Sequence, residues 1–237
     1  MHIKKIRIKS GSFPTADCYP FNLEVLHKTG EIILDNPVTF FIGENGTGKS
    51  TLLKAVAKRC SIPIWKETER QRLRYNKYEE ELYRYIEVEW EKGQVPGSFF
   101  SSDIFREFAY MLDENAAADP GMLDYFGGES LVTKSHGQCN MSYFRSRYKI
   151  RGLYFLDEPE TALSPGKQIE LLKVLREMSL AGHAQFIVAT HSPILLALPG
   201  AAIFSFDTAP VKEVEYEETD YYRIYKEFLT NRDAFLK

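Results

Sequence analysis

The chain has 237 residues, of which 44% are hydrophobic and 27% are charged, and its formal net charge is −3. This length and composition are typical of a globular protein that buries one sizeable core, and they show no internal repeats or low-complexity tracts. A strongly cationic chain would indicate a nucleic-acid partner. This chain gives no such indication, although its net charge does not exclude a local basic patch.

The cysteines and the hydropathy pattern bear on the compartment. The three cysteines, Cys18, Cys60 and Cys139, are far apart and show no metal-binding spacing, so we expect reduced thiols in a cytoplasmic protein. The chain has no run of 18 apolar residues, and its first residues alternate like a strand. We therefore expect no signal peptide and no transmembrane segment.

The N-terminal part predicts short strands and one helix. Four stretches read as strands, and the last is apolar enough for a buried central position: "HIKKIRIK", "FNLEVL", "EIILD" and "VTFFIG". Residues 50–60 predict a helix. The charged residues 66–92 predict a solvated helix and then an exposed strand, "YRYIEVEWE". Contact of their tyrosines and arginines with a polyanion is the alternative.

The remaining chain changes character at Arg151. Residues 93–134 predict irregular structure with one helix, "DIFREFAYMLDEN", which Asp103 is placed to cap. After Arg151, strands and helices alternate, which is typical of an α/β fold. They are, in chain order, "GLYFLD", "GKQIELLKVLREMSLAG", "AQFIVAT", "SPILLAL" and "AAIFSFD", followed by a terminal amphipathic helix in "TDYYRIYKEFLTNRDAFLK".

The stretch "GENGTGKST" matches the pattern G-x-x-x-x-G-K-[ST] between a predicted strand and a predicted helix. Glycines let the backbone wrap a polyphosphate, and the helix N-terminus adds partial positive charge. Lys49 would reach the β- and γ-phosphates, and the Ser50 hydroxyl would bind Mg²⁺. The predicted nucleotide-binding residues are Gly43, Glu44, Asn45, Gly46, Thr47, Gly48, Lys49, Ser50 and Thr51.

The stretch "LYFLDEPETALSP" places acidic residues at the end of an apolar strand. In nucleotide-binding folds such an acid supports the metal, so Asp157 is the second predicted magnesium ligand. Glu158 follows it and is predicted to orient or deprotonate the water that attacks the γ-phosphate. The plainer alternatives are that Glu158 caps a helix or meets a surface lysine. Glu160 is expected only to add polarity to the loop.

The stretch "VATHSP" places His191 after another apolar strand, where an imidazole is able to contact the γ-phosphate. A histidine in such a position is more often structural. Here it would be the third polar residue at the carboxyl edge of one parallel sheet, where ligands bind in such folds. Lys49, Glu158 and His191 are therefore the predicted catalytic residues.

In this order and spacing, "GENGTGKST", "LYFLDEPETALSP" and "ATHSP" resemble the ABC-type ATPases, a class of P-loop NTPases. The resemblance implies a mostly parallel core sheet flanked by helices, with an N-terminal antiparallel β part. It implies one domain over residues 1–237, with a helical subdomain over roughly 95–148. The residues at the motif positions are most similar to those of stand-alone bacterial AAA/ABC ATPases related to the RecF- and SMC-type branch.

The resemblance also implies a signature loop, for which "KSHGQ" stands at suitable spacing before Asp157. Ser135, Gly137 and Gln138 match the family, whereas Lys134 and His136 depart from it. In the family this loop contacts the γ-phosphate held by the opposite protomer. The resemblance therefore implies a head-to-tail homodimer with ATP between the protomers.

Three positions depart from the family or stay open. Ser164, in "TALS", stands where the family usually has aspartate. The Q-loop glutamine has no evident counterpart, because Gln94 lies slightly early and the loop region offers Ser101 or Ser102. The aromatic platform for adenine has two candidates, Tyr19 and Phe21, and packing roles are equally open for both.

The function predicted from the motifs is Mg²⁺-dependent ATP hydrolysis that drives a conformational change in a protein or nucleic-acid partner. One alternative is the ATP-binding subunit of a membrane transporter, against which the absent glutamine argues. Another is a DNA repair or defence ATPase. A further alternative is a nucleotide switch with negligible hydrolysis, because Ser164 stands where the family usually has aspartate.

Overall fold

The computed structural model describes residues 1–65, 76–116, 118–126, 128, 130, 132 and 136–236. The charged segment at 66–75, for which a helix is predicted, lies outside the described residues. In the described part of the chain, no helix is long and apolar enough to cross a membrane.

A three-stranded antiparallel sheet is formed by the N-terminal part. Its strands are β1 (Ile3–Ile8), β2 (Glu31–Ile33) and β4 (Ile86–Trp90), and β1 is the central one. The isoleucines of β1 are buried, whereas Lys5 and Arg7 lie on the outer face and pair with Glu31 of β2 and Glu87 of β4. The alternation of apolar and charged residues predicts this arrangement.

A six-stranded sheet forms the centre of the protein. In spatial order its strands are β5 (Gly97–Ser101), β6 (Gly152–Asp157), β7 (Ala184–Ala189), β3 (Val38–Ile42), β8 (Ala202–Ser205) and β9 (Lys212–Glu213). The first five are parallel, and β9 pairs with β8 in the antiparallel direction. This confirms the predicted α/β fold with a mostly parallel core and an antiparallel N-terminal part.

Helices cover both faces of the central sheet. They are α1 (Glu24–Lys28), α2 (Lys49–Arg59), α3 (Ser102–Ala116), α4 (His136–Arg147), α5 (Pro165–Leu180), α6 (Pro193–Leu196) and α7 (Asp220–Thr230). Successive residues of each central strand point to opposite faces. Phe40 and Leu156 thus pack with α3, α4 and α5, whereas Phe41 and Phe155 pack with α2 and the antiparallel sheet.

Two of the predicted elements are wrong. The stretch "FNLEVL" is predicted as a strand, but α1 begins inside it at Glu24. The neighbours Val25 and Leu26 are both buried, which a helix facing the core allows and strict alternation does not. The region 93–134, predicted to be irregular apart from one helix, contains the core strand β5. The helix that follows starts at Ser102, so Asp103 lies inside it and is not its cap.

Candidate active site

Three neighbouring parallel strands bring the predicted polar residues together. The sheet order places β7 between β6 and β3. Gly43 follows β3, Glu158 follows β6, and Thr190 and His191 follow β7. Because parallel strands end at the same edge of a sheet, residues far apart in sequence meet there.

The phosphate loop has the backbone conformation that its glycines predict. Gly43, Gly46 and Gly48 have φ values of 140°, 85° and 102°, which side-chain-bearing residues rarely adopt. Helix α2 begins directly afterwards at Lys49, so its free N–H groups face the loop. Glu44, Asn45 and Gly46 form the exposed tip of the loop.

Two threonines of the motif have local partners. The Thr47 hydroxyl donates to the Glu44 carbonyl oxygen at 2.9 Å. The Thr51 hydroxyl lies 2.8 Å from the Tyr19 hydroxyl. Exposure distinguishes the two candidates for the adenine platform. Tyr19 is 42% exposed beside α2, whereas Phe21 is fully buried against Phe13 and Tyr85.

Lys49 is a buried cation inside the loop. Its Nζ donates to the carbonyl oxygens of Gly43, at 2.6 Å, and of Glu44, at 2.9 Å. Burial lowers the pKa of Lys49, and the carboxylates of Glu158, Asp207 and Asp157 oppose that change. A buried ammonium group with carbonyl partners is suited to bind a ligand of high negative charge.

Ser50 and Asp157 meet although 107 residues separate them. The Ser50 hydroxyl donates to Asp157 Oδ1 at 2.7 Å, and Lys54 Nζ is 3.7 Å from Asp157 Oδ2. The Asp157 carboxylate is almost completely buried. A hydroxyl and a carboxylate are the hard oxygen donors that Mg²⁺ takes together with waters and substrate phosphates. The residues present therefore fit a magnesium ion, although the described residues hold no group of three or more acidic, His or Cys side chains that would bind a metal alone.

Glu158 turns away from the strand that precedes it. Its backbone is left-handed, with φ 48° and ψ 54°. Its carboxylate, 44% exposed, lies 3.5 Å from His191 Nε2. Glu158 occupies the cap position of the short 3-10 helix Pro159–Ala162, but its side chain makes no capping hydrogen bond. The helix-capping alternative is therefore not what the structure shows.

His191 is held at three points. Its backbone N–H donates to Glu160 Oε1 at 2.6 Å, its Nδ1 is 2.9 Å from the Tyr221 hydroxyl, and its Nε2 faces Glu158. Burial lowers the pKa of His191, and the nearby Lys49 ammonium lowers it further. The imidazole is therefore neutral near pH 7.

Three residues of the site were missed by sequence reasoning or given no part in it. Glu160, expected only to add polarity, is a half-buried residue whose carboxylate accepts a hydrogen bond from the His191 N–H. Asp207 follows β8 and accepts a hydrogen bond from the Glu44 N–H at 2.7 Å. Its position after an apolar strand was a usable signal, since β8 neighbours β3. Tyr221 gives no such signal, because a tyrosine in an amphipathic helix is ordinary.

The predicted Q-loop region lies at the same edge. Ser101 ends β5 opposite Asp157 in the strand register, and the Ser102 hydroxyl donates to the Glu158 carbonyl oxygen at 2.8 Å. Gln94 donates instead to the Cys60 carbonyl oxygen at 2.7 Å. Ser102, and not Gln94, is thus the polar side chain of this region that contacts the Asp-Glu turn.

The predicted signature loop is described only in part. Lys134 and Ser135 lie outside the described residues, whereas His136, Gly137 and Gln138 form the first turn of α4. A Cβ atom on Gly137 would lie 3.2 Å from the Ala162 carbonyl oxygen, so glycine permits close contact with the segment Thr161–Ser164. Ser164 immediately precedes Pro165 at the start of α5.

Comparison with protein families gives a match to part of the chain. A family model described as "AAA domain, putative AbiEii toxin, Type IV TA system" matches residues 141–197, which include Asp157, Glu158 and His191. No curated protein matches the chain.

Solved structures match over nearly the whole length. CbiO1 from Clostridium perfringens, part of the ABC transporter complex cbiONQ, is 18% identical, with 98% of this chain and 97% of that chain covered and a TM-score of 0.52. An ATP-binding cassette of an ABC transporter in its ADP conformation is 14% identical, with 98% and 96% covered and a TM-score of 0.53. The SMC head domain from Thermotoga maritima is 15% identical, with 91% and 100% covered and a TM-score of 0.50. This chain therefore has the fold of the ABC-type P-loop ATPases.

Proposed function

We propose that the protein binds ATP with Mg²⁺ and hydrolyses it, and that it does so as an ATP-sandwiched head-to-tail homodimer acting on a partner. The observation that carries the proposal is the convergence of four groups at one sheet edge. The Ser50 hydroxyl and the Asp157 carboxylate are 2.7 Å apart, and Glu158 and His191 are 3.5 Å apart beside the buried Lys49.

Each group has a role that its environment suits. Lys49 and the loop amides bind the phosphates, and Tyr19 is the exposed ring beside α2 on which adenine would stack. Ser50 and Asp157 would hold Mg²⁺, which neutralises charge on the phosphate oxygens when bound. Glu158, partly exposed and next to the metal ligands, accepts a hydrogen bond from the attacking water and orients it.

The role of Glu158 is tested by Glu158→Gln. An amide is a weak acceptor and no base, so we expect turnover to fall by roughly 10²- to 10³-fold while nucleotide affinity is retained. Steady-state phosphate release and ATP binding should be measured on the same preparation. Lys49→Ala is the control, because this variant should lose nucleotide binding as well as turnover. Turnover at the wild-type rate in Glu158→Gln would contradict the role.

The dimer is tested with the same variant. A slowly hydrolysing site keeps ATP bound, so Glu158→Gln with Mg·ATP should be dimeric in light scattering and monomeric without nucleotide. His136→Glu, at the exposed start of α4, should abolish the dimer without affecting ATP binding by the monomer, because that loop is proposed to contact the γ-phosphate of the opposite protomer and a carboxylate would repel it. A mass that stays monomeric at saturating ATP argues against the sandwich.

Three partner classes are separable by experiment. A membrane permease would co-purify with the protein, as expected for the ATP-binding subunit of a transporter. DNA would stimulate turnover, and the stimulation would fall steeply with salt. A protein partner without DNA would leave turnover independent of added DNA. The position of Ser102, which contacts the Glu158 carbonyl oxygen where the family usually has glutamine, favours a role outside transport.

A further inference from the structure

The Tyr221 side chain joins two parts of the site from a distant part of the chain. It lies in the first turn of α7, and its hydroxyl is 2.9 Å from His191 Nδ1 and 3.0 Å from the Gly43 carbonyl oxygen. The two rings also meet, with centroids 5.6 Å apart. One hydroxyl group thus contacts both the phosphate loop and the histidine.

The protons of these two contacts can be assigned by counting. The Gly43 carbonyl oxygen, which also accepts from Lys49 Nζ, only accepts, so both Tyr221 contacts are hydrogen bonds at once only when the single Tyr221 proton is used in the bond to Gly43. The contact with His191 then needs a proton from the imidazole, which places it on Nδ1. In a neutral ring Nε2 is therefore an acceptor, and it is the atom that faces Glu158.

Three other histidines lead to the opposite assignment. His2, His27 and His183 each place Nε2 against a backbone carbonyl oxygen, of His183, Phe21 and Tyr148 respectively. Each of these rings must carry its proton on Nε2 to make that bond. His191 thus differs from three histidines of the same protein by the partner at its Nδ1.

We propose that Tyr221 is a positioning residue of the ATPase site, which holds His191 with its proton on Nδ1 and turns a bare Nε2 toward Glu158. This rests on the proposed function and sharpens it. Nε2 is then a buried acceptor without a hydrogen-bond partner, 3.5 Å from Glu158 Oε1. In this state His191 has no proton on Nε2 to donate to the γ-phosphate.

The proton position is measured by long-range ¹H–¹⁵N NMR of the nucleotide-free protein, which distinguishes the two neutral tautomers. His191→Gln assigns the His191 signals. We expect Nδ1–H for His191 and Nε2–H for His2, His27 and His183. The Tyr221→Phe variant lacks the hydroxyl that accepts from Nδ1–H, whereas the Glu158 carboxylate beside Nε2 is still present. The proton of His191 should therefore move to Nε2. Tyr222→Phe, whose ring packs on Tyr216, should leave the tautomer unchanged.

Two NMR results overturn the proposal: a wild-type His191 with its proton on Nε2, or a His191 that keeps Nδ1–H in Tyr221→Phe. Unchanged signals of His2, His27 and His183 show that the variant is folded. If Tyr221→Phe does not fold, the wild-type tautomer alone decides.

Kinetics supply a second measurement. Loss of one orienting hydrogen bond should lower kcat roughly fivefold to tenfold, with the KM for ATP changed by less than about twofold. A higher KM with unchanged kcat would assign Tyr221 to nucleotide binding through Gly43 and overturn the proposal. The tautomer is measured without ATP, so a wild-type protein that fails to hydrolyse ATP refutes the proposed function and not the NMR result.

Discussion

At the scale of single residues, the backbone of Glu158 explains how two adjacent acids serve different partners. Residues with a side chain rarely adopt φ 48°, and the conformation costs about 1–2 kcal/mol. It ends β6 directly after Asp157, whose carboxylate meets Ser50, and the carboxylate of Glu158 meets His191. The sequence predicted a metal for Asp157 and a water for Glu158, but not the contact of Glu158 with His191.

Glu160 offers a prediction on stability. Burial raises the pKa of this carboxyl above 4.5, although the hydrogen bond from the His191 N–H opposes the rise. The folded state thus holds a proton that the unfolded state has lost, and wild-type stability falls as pH rises from about 4.5 through the folded pKa. Glu160→Gln keeps an oxygen acceptor without the charge, so its stability relative to wild type should increase over that pH window.

Urea unfolding at a series of pH values measures this difference. Glu177→Gln, on the exposed face of α5, is the matched control for the loss of one carboxylate. A Glu160→Gln variant that is less stable at pH 7 than at pH 4, relative to wild type, contradicts the assignment of a buried ionised carboxylate.

At the scale of elements, strand β5 aligns the Q-loop region with the Asp-Glu turn. Its pairing with β6 places Gly97 opposite Leu153 and Ser101 opposite Asp157, so Ser102 lies beside Glu158. The short stretch "GSFFS" carries little strand signal, which is why it was predicted as irregular. Its burial comes from the neighbouring strand and the helices, and a local pattern does not contain that information.

Gly97 tests this packing. A Cβ atom there would lie 2.0 Å from the Leu153 carbonyl oxygen and 2.6 Å from Ile62 Cδ1, so β5 and β6 would have to separate. Gly97→Ala should therefore destabilise the protein by about 2 kcal/mol or more. Gly166→Ala, in the first turn of α5 with no atom near the added Cβ, should be neutral or slightly stabilising. Equal melting temperatures for the two variants would refute the close approach.

At the scale of the whole molecule, Gln185 connects the two sheets. Its fully buried side chain lies on the central strand β7, and Oε1 accepts from the N–H groups of His2 and Ile3 at 2.7 and 2.8 Å. Its Nε2 donates to the Ile3 carbonyl oxygen at 2.9 Å. A polar residue in an otherwise apolar strand thus provides the hydrogen bonds of the first residues of the antiparallel sheet.

Gln185→Ala should leave those backbone groups buried without partners and lower the free energy of unfolding by about 2–4 kcal/mol. Gln94→Ala, which removes a single half-buried bond to the Cys60 carbonyl oxygen, is the control and should cost about 1 kcal/mol. Chemical denaturation of both variants gives the comparison. A smaller loss for Gln185→Ala than for Gln94→Ala would show that the sheets are held by apolar packing alone.

The sequence by itself determined the strands β1, β3, β6, β7 and β8, the phosphate loop and the acidic strand end, because each rests on a local pattern or spacing. The motifs already predicted that Ser50 and Asp157 share one magnesium ion, whereas the tertiary structure decided the direct contacts of Glu158 with His191 and of Tyr221 with both Gly43 and His191. Those pairs depend on the strand order β6-β7-β3-β8 and on where α7 returns to the sheet. Such contacts span 30 to 178 residues, and no local pattern in the chain encodes them.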